Sequence, residues 1–397
     1  MILKLSTALL ASLLLLQAAP ARAEDGPADF IADAKLLMRV VACQGDAPLP
    51  EGMDAKAVEE HCKTLAPRIE SYRAKYVKGA QEFLGKIIPA DVPKTVVYPF
   101  GGADLLTALT TYPNATEYTT ISLEHSGDVR RVRTYEKKKF KGSLDAIHEM
   151  LTKLLEVEDF SRSLELSNVQ QKELPAELAF FMTALAVHGD EPVSLKYFRI
   201  EPDGSTHYYS QEEINASEKK KAKRLKKSWA DPSFGEAFSN VELTFKKIGA
   251  ADATAKVHRH IAGNLHDDVF GKDLTLRNHL EKKGHVAAVV KAASYLLWQP
   301  GFSKIREYLL RNADFTVSES SGIPPRFAEK AGMIQETYGD FKEAYLPDAS
   351  KEISKEMEKF WKAQPHRELP FRFGYPDSQG KPHMLITRRA PAEAPKK

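Results

Sequence analysis

The stretch KTVVYPFGGADLLTALTTYPNATEYTTISLEHSGD, residues 94–128, decides the fold. Its first seven residues, Lys94–Phe100, are rich in β-branched and aromatic side chains and predict a short buried strand. Gly101-Gly102-Ala103-Asp104 forms a tight turn, with Asp104 placed to cap a helix. Leu105–Tyr112 reads as that helix, and Pro113-Asn114-Ala115 breaks it. Glu117–Leu123 is a second strand, closing at Glu124-His125-Ser126-Gly127-Asp128. Strand, glycine turn, helix, strand and acid together outline a βαβ unit. The expected fold class is therefore α/β: a mixed, Rossmann-like sheet with flanking helices.

Upstream, residues 28–43 carry apolar side chains at helical spacing. Asp54 can cap a second helix over 54–87, with a kink expected at Pro67. The expected result is an N-terminal helical hairpin over 24–90, ahead of an α/β domain over 91–388 that divides, if at all, near 210. Downstream, helices are expected over 142–165, 177–187, 302–312 and 350–362. A single long helix is expected over 273–297, because VAAVVKAASYLL is apolar nearly all round. Strands are expected at 193–200, 205–210, 241–248, 255–262 and 314–318, with a closing hairpin over 370–388. The passages 107–127 and 183–204 share a helix–strand–turn order that either a worn duplication or chance explains equally well. Residues 389–397 read as a disordered tail.

Residues 1–23 read as a secretory signal peptide: Lys4 in the n-region, an apolar run from Leu5 to Leu16, and Ala21-Arg22-Ala23 as the cleavage site. The expectation is an exported protein, periplasmic or secreted, soluble after cleavage near Ala23. Lys+Arg 57 against Asp+Glu 54 gives +3. Removing Lys4 and Arg22 leaves 55 against 54, or +1. No global field points to nucleic acid or to a membrane. The two cysteines, Cys43 and Cys62, are expected to form a disulfide in an oxidising compartment. Their spacing lacks a CxxC, which disfavours a metal or redox pair even with His61 alongside.

Seven segments are more specific than their composition requires: YPFGGAD (98–104), SLEHSGD (122–128), KAASYLL (291–297), GFSKIR (301–306), SSGIPPRF (320–327), TYGDF (337–341) and LPFRFGY (369–375). Together they resemble a group of secreted bacterial proteins of unassigned function, whose motifs run YPFSGPD, GLEPVG, KAASYLL, FSKIR, DDSGIPYR, YG and LPFGIGY. The resemblance spans most of residues 95–388. It implies an extracytoplasmic α/β protein and no mechanism. Glu319-Ser320 stand where the group has paired acids, so an ion site needing two carboxylates there loses its support. His125 replaces the proline of GLEPVG.

Candidate chemistry follows from the turns. Asp104, Glu124 and Asp128 fall at strand ends, where open α/β sheets bind ligands. A nucleotide would place Glu124 on a ribose hydroxyl, but GxGxxG is absent and no cofactor is expected. Ser321 is a candidate nucleophile, although an activated serine needs a base and an orienter and no GxSxG elbow is present. Arg326 is the cationic member of the same turn, the blander reading being a pair with a carboxylate. His258 and His260 alternate on one strand face, with His266 close in sequence, a weak zinc set for which exposed strand histidines are the commoner account. Two basic runs, Arg130–Lys141 and Lys219–Lys227, fit either an anionic surface ligand or a solvated face, the second as a flexible insertion. The leading expectation is a ligand-binding or envelope-associated protein with its site near Asp104, Glu124 and Arg326. The alternatives are an extracytoplasmic hydrolase using the same turns, and an inactive descendant of a nucleotide-binding α/β enzyme.

Overall fold

The computed structural model describes residues 26–135, 137–156, 174–225, 232–250, 252–291, 293–344, 351–374 and 377–390. The expected signal peptide, the end of the expected tail, and Lys226 and Lys227 of the second basic run lie outside them.

The chain opens with helices α1 (Ile31–Ala42) and α2 (Ala55–Tyr72), the latter capped by Asp54, whose side chain accepts from Ala57 N. Cys43 and Cys62 are disulfide-bonded and tie the end of α1 to the middle of α2. α2 continues through Pro67, the position where a kink is expected. The departure from α geometry is a π-turn at Arg73–Val77, which leads into α3 (Lys78–Ile87). Then come β1 (Thr95–Pro99), α4 (Leu105–Thr111), β2 (Glu117–Ser122), α5 (Arg131–Thr134), α6 (Lys137–Glu156) and α7 (Ala176–His188). The strands β3 (Asp190–Ile200) and β4 (Thr206–Tyr208) precede α8 (Gln211–Ser217), β5 (Asn240–Lys247) and β6 (Lys256–Ala262). The last third holds α9 (Asp267–Phe270), α10 (Leu274–Glu281), β7 (Val286–Val290), α11 (Ser303–Asn312), β8 (Ala313–Ser318), α12 (Pro325–Lys330), β9 (Met333–Gly339), α13 (Lys351–Ala363) and β10 (His383–Arg389).

The described strands form one ten-stranded mixed sheet in the order β4-β3-β5-β6-β2-β1-β7-β8-β10-β9. Its centre is parallel: β6, β2, β1, β7 and β8 pair in one direction. Both wings are antiparallel. Side chains of β1 alternate between two cores. Val96 and Tyr98 pack with α1, α2, α4, α6 and α7, while Val97 packs with α10 and α11. The helix after β1 and the helix after β7 therefore lie on opposite faces of the sheet. The boundary between β1 and β7 is the topological switch point, where loops diverge and leave room at the strands' carboxyl ends. The helical hairpin shares the first core with the sheet.

Two expectations fail here. The helix expected over 273–297 stops at Glu281, followed by Gly284 at φ +64, and VAAVV is the central strand β7. A strand covered on both faces is apolar without alternation, so its pattern mimics a buried helix. The closing hairpin expected over 370–388 is one strand, β10, paired with the unexpected β9. Pro370, Gly374 and Pro376 lie in the first half of that range, Pro382 directly precedes β10, and all four disfavour a ladder.

Candidate functional site

Four strand ends meet at the switch point. After β1 the backbone curls back: Phe100 has φ +62 and Gly102 φ +50, and Asp104 N donates to Gly101 O. A bulky residue at positive φ is a steric outlier, and such strain collects at functional turns. Asp104 Oδ1 caps α4 by accepting from Thr107 N (3.1 Å). Its Oδ2 accepts from Tyr98 Oη (2.9 Å) and from Lys291 Nζ (3.1 Å). Lys291, the first residue after β7, also donates to Thr107 Oγ1 at 2.7 Å and is 1% exposed. Burial and the carboxylates of Asp104 and Glu319 push the Tyr98 phenol far above its ordinary range.

Glu319, directly after β8, adds a further buried carboxylate. Its Oε1 accepts from Ser294 Oγ (2.9 Å) and Ser321 Oγ (2.8 Å). Trp298 Nε1 donates to Ser321 O and closes this knot (3.1 Å). The loop bearing Gly374 lies over it: a Cβ built there would stand 2.7 Å from Glu319 Oε2 and 3.3 Å from Lys291 Cγ, at φ +69. Five of the seven segments that carry the resemblance (98–104, 122–128, 291–297, 320–327 and 369–375) thus contribute to one place.

Glu124, just past β2, is 2% exposed, and its Oε2 lies 4.0 Å from the Cβ position of Gly102. Its Oε1 is buried without a hydrogen-bond partner. The backbone around it is held by a chain of neutral groups. His260 Nε2 donates to Glu124 O (2.9 Å). Burial holds His260 near 4, so the ring is neutral and its Nδ1 accepts from Thr120 Oγ1 (3.0 Å). Thr120 Oγ1 must then accept from His258 Nε2 (2.9 Å). His258 Nδ1 is left as a bare, buried lone pair.

The candidates from the sequence separate accordingly. Asp104 and Glu124 flank the Gly101-Gly102 turn, and Ser321 bonds Glu319, whose carboxylate acts on the same Tyr98 phenol as that of Asp104. Asp128 is elsewhere, paired with Arg130 at 2.8 Å, and Arg130 also reaches Glu218. Arg326 pairs with Glu356 and stacks on Trp298 and Phe327, one layer outside Ser321. The bonds of the Ser321 hydroxyl go to Ser294 and Glu319, and no described imidazole touches it. His258 and His260 are fully buried rather than exposed, because β6 lies inside the sheet under Phe181 of α7. His266 is apart from them: its Nδ1 accepts from Asp268 N to cap α9. Among the described residues, the one group of three side chains close enough to hold a metal is Cys43, His61 and Cys62, whose sulfurs are bonded to each other.

The basic runs are partly tied down. Arg133 pairs with Asp33, Lys141 with Asp145, and Lys220 with Glu236. In its described part the second run is no flexible insertion: Lys221 bridges to Gly235, and Ala222 N donates to Phe234 O. A separate open cavity of about 430 Å³ at the sheet edge is lined by Phe341, Lys342, Trp361, Asp377 and Lys381 and carries the TYGDF segment.

Sequence reading missed Lys291, Ser294 and Glu319. The signal for Lys291 was present: a lone cation directly after an uninterrupted apolar run marks a strand's carboxyl end once VAAVV is read as a strand.

Fold and cluster together define an open α/β protein with buried charges gathered at the switch point of its sheet. No family model, curated protein or solved structure matches the chain. Among the described residues, no helix is long and apolar enough to cross a membrane.

Proposed function

We propose that this is an exported protein that binds a small polar ligand, rich in hydroxyl or ammonium donors, at the switch point beside Asp104, Glu124, Lys291 and Glu319. The observation that carries the reading is the Glu124 carboxylate, with Oε1 buried and unpartnered beside a strained glycine turn. A buried polar atom without a partner costs about 1–3 kcal/mol. A ligand donor reaching it recovers that cost. Three buried carboxylates, Asp104, Glu124 and Glu319, against the one ammonium of Lys291 favour a donor over an anion. Export is supported by the N-terminal stretch with its A-x-A site, and the disulfide suits an oxidising compartment. The resemblance to secreted bacterial proteins points the same way.

The test is a thermal-shift screen of the chain from Glu24 onward, followed by calorimetry, against pentoses, hexoses, amino sugars, linear amines and matching sugar acids. Neutral polyols or amines should stabilise the protein, sugar acids should not, and Glu124→Gln should abolish the effect. If no donor-rich compound shifts melting, or if Glu124→Gln binds as the wild type does, the reading falls. Export is tested separately by N-terminal sequencing of protein from the periplasm or medium, expected to begin at Glu24.

A further inference from the structure

The Cys43–Cys62 bond stands beside two histidines whose arrangement a structural staple does not require. The Sγ atoms and one ring nitrogen of His61 all lie within 4.8 Å of one another. His61 Nε2 donates to Val41 O (3.0 Å), which fixes the tautomer and leaves Nδ1 as the lone pair. A backbone carbonyl on the far nitrogen is the usual support of a metal-ligating imidazole. His148, on α6, places its Nδ1 3.0 Å from His61 Nδ1. One of those two nitrogens must carry a proton, and since His61 Nδ1 does not, His148 Nδ1 donates. Its Nε2 faces Thr64 Oγ1 at 3.4 Å. Burial lowers both imidazoles, His61 to about 4, so both rings are neutral near pH 7.

We propose that the reduced form of this protein holds a zinc-class divalent cation between the Cys43 and Cys62 thiolates and His61 Nδ1, with His148 Nδ1 beside the fourth position. The disulfide and the metal exclude each other, so the site is redox-gated. A dithiol reductant passes two electrons and two protons to the Cys43–Cys62 bond and becomes a disulfide itself, leaving two thiols. The cation displaces both thiol protons, and the proton on His148 Nδ1 moves to Nε2, where Thr64 Oγ1 accepts it. Two thiolates and an imidazole suit zinc over calcium or magnesium, which take oxygen ligands. Cys43 and Cys62 are partly exposed, so a reductant reaches them.

The experiment is an anaerobic cobalt titration of the chain reduced with a phosphine, which competes poorly for metal. The expected result is one equivalent bound, with the visible spectrum of tetrahedral cobalt and a thiolate charge-transfer band, both displaced by zinc. The oxidised protein should show neither. Cys43→Ser with Cys62→Ser should abolish the spectrum, and His61→Ala should abolish it while the oxidised variant melts normally. His148→Ala should weaken binding by roughly 10- to 100-fold. A reduced wild type without the spectrum overturns the proposal. So does unchanged affinity in His61→Ala. If reduction unfolds the chain, refolding on cobalt addition supports the proposal and failure to refold overturns it.

Discussion

Lys291→Met tests whether the switch-point charges act as one unit. Lys291 is 1% exposed and pairs with Asp104 at 3.1 Å, and a Cβ built at Gly374 would crowd both its Cγ and the Glu319 carboxylate. Methionine keeps the length and the apolar stem but removes the ammonium. Asp104 keeps its cap on Thr107 N and its bond from Tyr98, so α4 need not unravel. What changes is that the buried Asp104 carboxylate loses its cation. Removing one partner of a buried pair costs about 3–5 kcal/mol. Unfolding entropy of about 2.1 cal/mol/K per residue, over roughly 370 residues, converts this to a melting decrease of about 4–6 °C. The assay is urea unfolding followed by tryptophan fluorescence, with calorimetry for the melting point. Asp104→Asn and the double variant complete the cycle, and the expected coupling is about 1–3 kcal/mol. If Lys291→Met costs under about 1 kcal/mol, or the two changes simply add, the ammonium does not hold the cluster.

Three further outcomes are expected. His61, His260, His279 and His383 are each held near 4 by burial, below the ordinary 6.5. Below pH 6.5 the unfolded chain takes up protons that the folded chain refuses, so stability should fall as pH drops from about 6.5 to 4, by up to about 1.4 kcal/mol per unit for each ring. A flat stability profile across that window would contradict the burial of these rings. Gly374→Ala puts a Cβ 2.7 Å from Glu319 Oε2 at φ +69, and about 1–3 kcal/mol of backbone strain adds to that contact; melting should drop, with tryptophan emission reporting on Trp298 beside Ser321. Thr120→Val removes the hydroxyl linking His258 and His260 and should cost about 1–3 kcal/mol. Nitrogen-15 shifts of the two rings read the tautomers directly, and wild-type rings protonated on Nδ1 would refute the chain of donors drawn from Glu124 O.

The βαβ unit was legible because its punctuation is local. Pro99, Gly101, Gly102, Asp104 and Pro113 specify the ends of β1 and α4 whatever packs on them, and Asp104 caps as expected. The disulfide was legible because the chain holds two cysteines and its N-terminal stretch, read as a signal peptide, led to the expectation of an oxidising compartment. The rest depended on partners distant in sequence. VAAVV is a strand because β1 and β8 flank it and cores cover both its faces, which no periodicity within five residues can reveal. His258 and His260 alternate as an exposed pair would, and only the cover of Phe181 and the hydroxyl of Thr120, 138 and 140 residues away, turn them into a satisfied core. Lys291 joins Asp104 across 187 residues. The same long reach explains why the five segments that meet at the switch point looked scattered. Read along the chain they are unrelated turns, but the switch point gathers the carboxyl ends of β2, β1, β7 and β8 side by side. Turn residues set by separate local needs therefore become neighbours in one cluster, and that convergence locates the candidate site better than any single motif within it.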